Sequence, residues 1–488
     1  MVRLSSESAL VASAPTKLLI GGQWRDASDR ATFDVVDPAS ENVLATVANA
    51  SVDDGLAALN AAHEAGPDWA ARPPRERSEI LRKAFELMIA KREELSRLIT
   101  LENGKALKDS MGEVAYAAEF FRWYAEEAVR NISELSTAPS GSNRILVLQQ
   151  PVGVSLLITP WNFPAAMGTR KIGPALAAGC SVILKPAPET PLTALVVGEV
   201  LQQAGVPAGV VNIIPCDRSG EVCRAILADG RCRKLSFTGS TEVGRILLEE
   251  AAQTVVNCSM ELGGNAPFLV FADADIDAAV EGALIAKMRN GGEACTAANR
   301  FFVETPVVEE FAKKFSAAMS ALRVGPGLEP GVDIGPMVNL AACTKISALV
   351  EDAVSKGAKV VSGGRSQPGT GFFYQPTVLV DVPADADILR QEIFGPVAPI
   401  VGFSDIDDAI AKANDTEHGL ISYVYTGDLA KGLRVAERLE SGMVGLNRGL
   451  VSDPAAPFGG VKQSGIGREG AHDGLLEFLE KKYIAMTW

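Results

Sequence analysis

The sequence predicts an α/β protein with two doubly wound parallel sheets and a separate β arm. Strand-like apolar runs alternate with helix-length segments from about residue 150 to 270, and the alternation resumes after residue 266. Parallel strands joined by helices of this length form doubly wound sheets. Ahead of the first sheet, turn residues in "STAPSGSNRILVLQQP" lead into an alternating apolar run, which is typical of a hairpin arm or an exposed strand.

The N-terminal part of the chain is predicted to be helical. Apolar residues recur at helical spacing from Leu81 to Ile99, within a helix over residues 75–101 that ends near Gly104. A second helical stretch covers about residues 112–132. The chain has no internal repeat and no low-complexity segment.

The first sheet follows this helical part. Its predicted strands, each followed by a helix, are "VSLLITP", "SVILKP", "GVVNIIP" and "KLSFTGS". Ligands of such sheets bind beyond the carboxyl ends of the strands. We therefore expect the functional residues directly after these strands, in "PWNFP", "KPAPET" and "TGSTEVG".

A second α/β unit begins after residue 262. Its first predicted elements are the strands "APFLVF", "RFFVE" and "KVVSGG", with helices over about 275–288 and 307–322. The predicted divisions are a first unit of residues 1–130 and 148–262, a second unit of residues 263–461, and an arm and tail of residues 131–147 and 462–488. The tail ends in a strand-like run that, with the arm, would suit edge pairing with another subunit in a homodimer or homotetramer.

Composition disfavours several classes of partner. The chain has 488 residues, a formal charge of −14 and acids interspersed with bases, which argues against nucleic acid or an anionic membrane as the main partner. A small molecule is the expected partner, and a local pair of arginines would still bind an anionic metabolite. No apolar run reaches the roughly 18 residues that a membrane helix needs. The N-terminal segment is too weakly apolar for a secretory signal, so a cytoplasmic location is expected.

The spacing of the cysteines and histidines disfavours several types of catalytic and metal site. The seven cysteines are irregularly spaced and form no CxxC, and the three histidines are scattered. These patterns disfavour a zinc site, a redox pair and a Ser-His-Asp triad. No metal is expected.

Cys295, in "MRNGGEACTAANR", has two interpretations. It is either a buried inert thiol or a nucleophile. Gly291 and Gly292 would let the backbone approach a ligand closely. The stretch after Cys295 is interpreted as helical, which would place the thiol near a positive helix end and lower its pKa.

Three further stretches have both a chemical and a structural interpretation. Glu261 follows "VVNCSM" in an apolar neighbourhood, and it is either a surface carboxylate or a desolvated general base with a raised pKa. Asn162, held between prolines in "ITPWNFP", is either a turn residue or a donor to a developing oxyanion. "FTGSTEVG" opens a helix after a strand, and such a helix N-terminus could hold a phosphate.

Taken together and in this order, these stretches resemble the aldehyde dehydrogenase superfamily over nearly the whole chain. "ELGG" and the cysteine loop, in their mutual spacing, are highly specific for it. The matching stretches are "TPWNFP", "KPAPETPLTAL", "FTGSTEVG", "MELGGNAP", "GGEACTAANR", "EIFGPV" and "PFGGVKQSGIGRE". The resemblance implies the fold of that superfamily, with a Rossmann-like cofactor domain as the first unit, a catalytic domain as the second, and an oligomerisation arm.

The resemblance also implies three catalytic residues. Cys295 would attack an aldehyde carbonyl as a thiolate, and the oxyanion would be held by the Asn162 amide and the Cys295 backbone N–H. A hydride would pass to the nicotinamide of NADP or NAD, leaving a thioester. Glu261 would then activate water to release the acid. Covalent catalysis of this kind divides one difficult step into two easier ones.

A set of cofactor-binding residues is implied in the same way. Lys185 would contact the adenosine ribose, Trp161 would wall the pocket, and Ser240 would lie at the pyrophosphate. Glu392 and Phe394 would position the nicotinamide ribose and ring. The full implied set is Ile158, Thr159, Pro160, Trp161, Lys185, Pro188, Gly220, Gly239, Ser240, Val243, Leu262, Glu392 and Phe394.

The class of aldehyde that the chain would oxidise is indicated by three residues, Arg170, Arg289 and Ser452. Members of the superfamily that oxidise succinate semialdehyde carry an arginine in the "TRK" context, a second before the cysteine loop and a serine in this late segment. The resemblance thus favours a carboxylated aldehyde, because an arginine fork binds carboxylates bidentately. Glutarate semialdehyde is an alternative. So is an uncharged aromatic or aliphatic aldehyde with structural arginines, and so is a non-catalytic protein that keeps the fold.

The sequence departs from the superfamily pattern at three places. The second cysteine that often follows the nucleophile is Ala297, and the usual glutamine two residues before it is Glu293. Where NAD-preferring relatives carry an acid on the ribose hydroxyls, this chain has Pro188, with Glu189 next. The missing acid favours acceptance of NADP slightly, because a carboxylate there would repel a 2′-phosphate.

Overall fold

The computed structural model describes residues 2–487. Its α-helices are α1 (Val2–Ser13), α2 (Val52–Ala71), α3 (Pro74–Ala90), α4 (Arg92–Asn103), α5 (Leu107–Glu127), α6 (Pro164–Ala178), α7 (Pro191–Ala204), α8 (Ser219–Ala228), α9 (Thr241–Ala252), α10 (Ile276–Met288), α11 (Val308–Ser320), α12 (Leu340–Ser355), α13 (Ile406–Asn414), α14 (Leu429–Arg438) and α15 (Asp473–Leu476). Its strands are β1 (Leu18–Ile20), β2 (Gln23–Arg25), β3 (Thr32–Val36), β4 (Val43–Ala48), β5 (Glu134–Thr137), β6 (Arg144–Pro151), β7 (Val154–Ile158), β8 (Val182–Lys185), β9 (Val211–Ile213), β10 (Cys232–Thr238), β11 (Asn257–Glu261), β12 (Ala266–Val270), β13 (Ala298–Glu304), β14 (Lys359–Ser362), β15 (Thr377–Val380), β16 (Val397–Phe403), β17 (His418–Gly419), β18 (Ile421–Tyr425), β19 (Met443–Leu446), β20 (Val461–Lys462), β21 (Gly465–Ile466) and β22 (Leu479–Met486).

The first large sheet has the strand order β2-β1-β9-β8-β7-β10-β11-β21. Its central strands, β7 to β11, are parallel, as predicted. The sheet is buried on both faces, since Leu157 packs into the cluster formed by α3, α5, α6 and α7, and Leu156 packs into the cluster formed by α2, α8 and α9. The strands of a sheet that is buried on both faces are continuous apolar runs, and for this reason the sequence predicts them. The antiparallel edge strands β1, β2 and β21 gave no such signal.

The second large sheet has the order β14-β15-β16-β13-β12-β18-β19. All of its pairings are parallel except the edge pair of β14 and β15. The second doubly wound sheet expected from the sequence is therefore present, and its strands all follow residue 262. β14 contains the predicted strand "KVVS" but runs antiparallel at the edge.

A separate sheet of order β22-β6-β5 forms the arm. The tail strand β22 pairs with β6 of the same chain over its whole length, from Leu479 opposite Pro151 to Met486 opposite Arg144. β5 is the outer strand, and all four of its residues are exposed. The predicted arm and tail are thus strands that pair with each other, and β5 leaves one edge free within the chain.

The N-terminal helices differ from the prediction in their boundaries. The predicted helix over 75–101 is two helices, α3 and α4, which meet at Lys91, and the second predicted helix is α5, which begins earlier and ends at Glu127. Lys91 is the C-cap residue of α3 and the N-cap residue of α4. The apolar residues keep their helical spacing across this junction, so the sequence pattern predicts a single helix. Among residues 2–487, no helix is long and apolar enough to cross a membrane.

Candidate active site

Cys295 lies in a short turn just before β13, a strand of the second large sheet. The turn connects a 3₁₀ segment, Arg289–Gly292, to β13. Gly292 has φ +83°, and a Cβ at this position would lie 2.3 Å from the carbonyl oxygen of Gly395. A side chain at residue 292 would therefore displace the loop, which explains the glycine. Cys295 itself is partly exposed and lines a cavity between the two sheets.

The expectation of a helix after Cys295 was wrong. Residues 295–297 form a turn and β13 starts at Ala298, so no helix end acts on the thiol. Burial raises the pKa of Cys295 to about 12, while Arg170 and Arg289 lower it and Glu392 and Glu261 raise it. The surroundings of Cys295 in this structure therefore favour the protonated thiol.

Asn162 is held in the turn between β7 and α6. Its side-chain Nδ2 donates to the carbonyl oxygen of Glu293 at 3.0 Å. Its own carbonyl oxygen accepts from Lys105 Nζ at 2.5 Å and from Asn290 Nδ2 at 2.9 Å. Asn162 and Cys295 line the same cavity. The side-chain amide is thus held through Nδ2 beside the cysteine loop, and the backbone of Asn162 is held through its carbonyl, as suits a preorganised donor.

Glu261 ends β11 and is buried. Neither of its carboxyl oxygens has a hydrogen-bond partner within the described chain. Burial raises its pKa well above the usual range, and the nearby Glu469 adds to this effect, while Arg170 and Lys171 oppose it. The surroundings of the carboxyl therefore favour its protonated form, and the carboxyl must lose its proton before it can act as a base.

Arg170 lies on α6 and is fully buried. Its Nε lies 2.5 Å from Glu469 Oε2, its Nη2 donates to Met167 Sδ at 3.1 Å, and the guanidinium lies over the ring of Phe458 at 4.3 Å. Asn162 precedes α6, so Asn162 and Arg170 do not lie on the same helix.

Arg289 and Ser452 meet at the other side of the cysteine loop. Arg289 Nη1 donates to Ser452 Oγ at 3.2 Å, and its guanidinium lies 4.9 Å from the ring centre of Phe163. Both residues are half-buried. Within the described part of the chain, no carboxylate forms a salt bridge with Arg289. This arginine is therefore a partly accessible cation that has a neutral hydroxyl beside it.

Glu293, the departure from the usual glutamine, is buried and keeps a glutamine-like contact. Its Oε1 accepts from the backbone N–H of Val338 at 3.1 Å. Burial raises its pKa to about 8, although the Val338 N–H lowers it. Glu293 is therefore mostly neutral near pH 7 and can replace a glutamine as an acceptor.

The cavity beside Cys295 has a volume of about 380 Å³. Its lining includes several residues of the implied cofactor set: Pro160, Trp161, Gly239, Ser240, Leu262, Glu392 and Phe394. The structure does not bring the remaining residues of that set into this lining: Ile158, Thr159, Lys185, Pro188, Gly220 and Val243. Ile158 and Lys185 end β7 and β8, so they lie along the same carboxyl edge of the first sheet.

The cavity residues suit a nicotinamide dinucleotide. Ser240 caps the N-terminus of α9 by accepting from Val243 N–H at 3.3 Å, and a helix N-terminus of this kind binds phosphate groups. Thr238 Oγ1 is buried without a described partner. Glu392 accepts from Gly264 N–H at 3.1 Å, and burial raises its pKa to about 7. These groups offer a hydroxyl and a carboxyl to a ribose.

Three polar residues of the site were missed by sequence reasoning. Lys105 directly follows Gly104, where the sequence predicts only the end of a helix, and Lys171 and Glu469 lie in the stretches "TRK" and "PFGGVKQSGIGRE", where no role was predicted for either residue. The structure buries all three beside Asn162 or Glu261. The sequence signal for such a buried polar residue is a charged residue inside an apolar run, such as Lys171 in α6.

The family model described as "Aldehyde dehydrogenase family" matches residues 24–484. Three curated relatives cover almost the whole chain. The succinate-semialdehyde dehydrogenase of Paenarthrobacter nicotinovorans is 54% identical over 91% of this chain and 99% of its own. The NADP(+) succinate-semialdehyde dehydrogenase of Escherichia coli is 49% identical, over 96% and 97%. The glutarate-semialdehyde dehydrogenase of Pseudomonas putida is also 49% identical, over 96% and 97%.

Solved structures agree with the fold. The crystal structure of succinate-semialdehyde dehydrogenase from Burkholderia pseudomallei superposes with a TM-score of 0.96 at 46% identity. The match covers 98% of this chain and 99% of that one. The two large sheets and the arm are therefore the architecture of a known enzyme fold.

Proposed function

The chain belongs to the aldehyde dehydrogenase family, and from that premise we propose that it oxidises succinate semialdehyde to succinate. NADP or NAD accepts the hydride. The substrate is a short aldehyde with a carboxylate at its far end, so the site must hold a reacting carbonyl at Cys295 and an anion some way from it. The observation that carries the proposal is the accessible Arg289, which donates to Ser452 and has no carboxylate partner in the described chain.

The carboxylate would bind at Arg289 and Ser452. An arginine without an acidic partner, half-buried beside a hydroxyl, offers charge-assisted hydrogen bonds to a carboxylate. Arg170 supports this site from deeper in the protein, where Glu469 and Met167 hold its guanidinium in place. Cys295 is close enough to both arginines for each to lower the pKa of the thiol.

Cys295 would form a covalent bond to the aldehyde carbon. As the thiolate attacks, negative charge develops on the carbonyl oxygen, and the Asn162 amide with the Cys295 backbone N–H would stabilise it. The Asn162 side chain is already fixed by its hydrogen bond to Glu293, so little reorganisation is needed. When bound in the cavity, the cofactor supplies the hydride acceptor that allows the adduct to become a thioester.

Glu261 would activate the water that hydrolyses the thioester. Its carboxyl oxygens have no described partner, so one of them is free to accept a proton from water. A retained water-activating carboxyl favours hydrolysis to the acid over transfer to a thiol cofactor, and together with Cys295 and Asn162 it argues against a non-catalytic role. The lysine and arginine near Glu261 would favour its ionised form when it works as the base.

The cofactor preference is proposed to include NADP. Pro188 offers no carboxylate to repel a 2′-phosphate, and burial raises the pKa of the neighbouring Glu189. The named cofactor of the Escherichia coli relative is in keeping with this. We expect kcat/KM with NADP to equal or exceed that with NAD, measured at saturating succinate semialdehyde. A strong preference for NAD would contradict this interpretation of Pro188.

Glutarate semialdehyde is the second candidate substrate. The Pseudomonas putida relative that carries this name is as similar as the Escherichia coli one. The two aldehydes differ by one methylene, which is worth about 1 kcal/mol in an apolar pocket. Comparison of kcat/KM for the two aldehydes, with an uncharged aldehyde as reference, ranks them directly.

Arg289→Ala is expected to lose activity only toward carboxylated aldehydes. Loss of a charged hydrogen bond costs roughly 1.5–3 kcal/mol, which corresponds to about a ten- to hundred-fold lower kcat/KM for succinate semialdehyde. Propanal carries no carboxylate, so its kcat/KM should be nearly unchanged. Steady-state kinetics with both aldehydes measures the difference.

Arg448→Ala is the matched control for this variant. Arg448 is an exposed arginine of the segment that carries Ser452, and its Nε donates to the Leu450 carbonyl oxygen. Like Arg289→Ala, this variant removes one arginine, but it removes it from the segment that carries Ser452 and leaves Arg289 in place. Equal losses on both aldehydes in Arg289→Ala, or a selective loss in Arg448→Ala, would refute a carboxylate-binding role for Arg289.

We also propose a homo-oligomer and a cytoplasmic location. The supporting observation for the oligomer is the outer strand β5, which exposes all its residues, with Leu135 62% exposed. A free, partly apolar strand edge of this kind is usually covered by another chain. A homodimer and a homotetramer are both compatible with one such edge per subunit.

A further inference from the structure

Tyr116 lies on α5, the helix that packs along α6. Its ring meets the ring of Phe120 edge to face, with 4.8 Å between centroids. The side chain is half-buried, but its hydroxyl oxygen is fully buried and its hydroxyl proton has no acceptor among the described residues. A buried unpaired hydroxyl costs about 1–3 kcal/mol, so such a group usually has a partner in the working state of a protein.

Two guanidinium groups act on this hydroxyl. Burial raises the pKa of Tyr116, while Arg170 and Arg289 both lie close enough to lower it. The hydroxyl stays protonated at neutral pH and is available as a donor. It therefore lies near the same two arginines that the proposed function assigns to the substrate carboxylate.

The chain itself offers no acceptor that this hydroxyl uses. The nearest acid of the cluster, Glu469, is already bound by Arg170 and Lys171. Arg170 is held by Glu469, Met167 and Phe458, and it also lowers the pKa of Tyr116 through a side-chain hydrogen bond, which leaves the proton of the hydroxyl without an acceptor. An anion brought between the arginines would supply the missing acceptor.

We propose that Tyr116 is a specificity-determining residue whose hydroxyl donates to the carboxylate of the substrate, beside Arg289 and Arg170. The inference rests on the proposed function, since it requires a carboxylated aldehyde. A carboxylate has two oxygens with about four acceptor positions, so a hydroxyl donor complements the arginine forks without competing for them. The hydroxyl also selects against uncharged aldehydes, which would leave it buried and unpaired.

Tyr116→Phe tests this role with little change in shape, because phenylalanine keeps the contact with Phe120. Loss of the hydroxyl should lower kcat/KM for succinate semialdehyde roughly ten-fold, as expected for a hydrogen bond to a charged group. The kcat/KM for propanal should be unchanged or slightly higher. Inhibition by succinate, which reports carboxylate binding without chemistry, should weaken by a similar factor.

Tyr124→Phe is the control on the same helix. Tyr124 also has a buried hydroxyl without a described partner, but its hydroxyl lies against Gly474. Its removal should leave the ratio of the two substrates unchanged. Equal effects of Tyr116→Phe on both aldehydes, or unchanged inhibition by succinate, would overturn the assignment of Tyr116.

Measurement of Arg289→Ala in parallel separates the two proposals. A selective loss in Arg289→Ala without one in Tyr116→Phe refutes the role of Tyr116 alone. A loss in neither variant refutes the carboxylated substrate itself. Selective losses in both, which are the expected result, support the two proposals together.

Discussion

Cys295→Ala is expected to abolish turnover of every aldehyde while leaving cofactor binding intact. Without the sulfur no thioester forms, and the amide donor and the general base have no adduct to act on. Removal of a covalent nucleophile typically costs on the order of 10⁴-fold or more in kcat. The binding of NADP, followed by fluorescence titration, should be unaffected because the cavity is otherwise lined by unchanged residues.

Cys258→Ala is the matched control for the nucleophile. Cys258 is, like Cys295, a partly exposed cysteine, but it lies on β11 away from the cavity lining. Its variant should retain wild-type kcat/KM. Persisting dehydrogenase activity in Cys295→Ala would reject the nucleophile assignment outright.

Glu261→Gln is expected to separate the two halves of the reaction. Acylation does not need a water-activating base, so the first turnover should release a burst of reduced cofactor close to one per active site. Hydrolysis of the thioester does need that base, and its loss should slow the steady state roughly 10²–10⁴-fold. Stopped-flow absorbance of the reduced nicotinamide measures both phases.

The pH dependence of the steady state follows from the same residue. Burial holds the pKa of Glu261 well above its usual range. The base works only when it is deprotonated, so the hydrolysis rate should rise as pH rises toward that pKa and fall below it. Glu261→Gln should lose this dependence, and a variant that kept both the wild-type pH profile and the wild-type rate would show that another group activates the water.

The fold was predictable because its central strands are buried on both faces. β7, β8 and β10 appear in the sequence as continuous apolar runs, and the intervening helices end at glycines, as Gly179 and Gly205 show. Doubly wound sheets were thus expected and are confirmed by the structure and its relatives. The edge strands β1, β2 and β21 are too short to show a period, and their pairing depends on contacts far apart in sequence.

The sequence predicted those residues of the candidate site whose type and neighbours are unusual for a purely structural role. A cysteine after paired glycines and a glutamate in an apolar run are residues of this kind, and both lie close enough to Arg170 for it to lower their pKa. The pairing of Arg170 and Lys171 with Glu469 was not predictable, because these residues meet only in the folded chain, and 298 positions separate Lys171 from Glu469. The direction of the thiol pKa was also missed, since it depends on burial and on a turn that the sequence presented as a helix.

The most direct test of the covalent mechanism is the mass of the protein during turnover. Glu261→Gln is mixed with succinate semialdehyde and NADP, quenched in acid after the burst, and measured by intact and peptide mass spectrometry. A single succinyl group on the peptide that carries Cys295 is the predicted result. An unmodified protein after a full burst, or a succinyl group on any other cysteine, would contradict the thioester at Cys295.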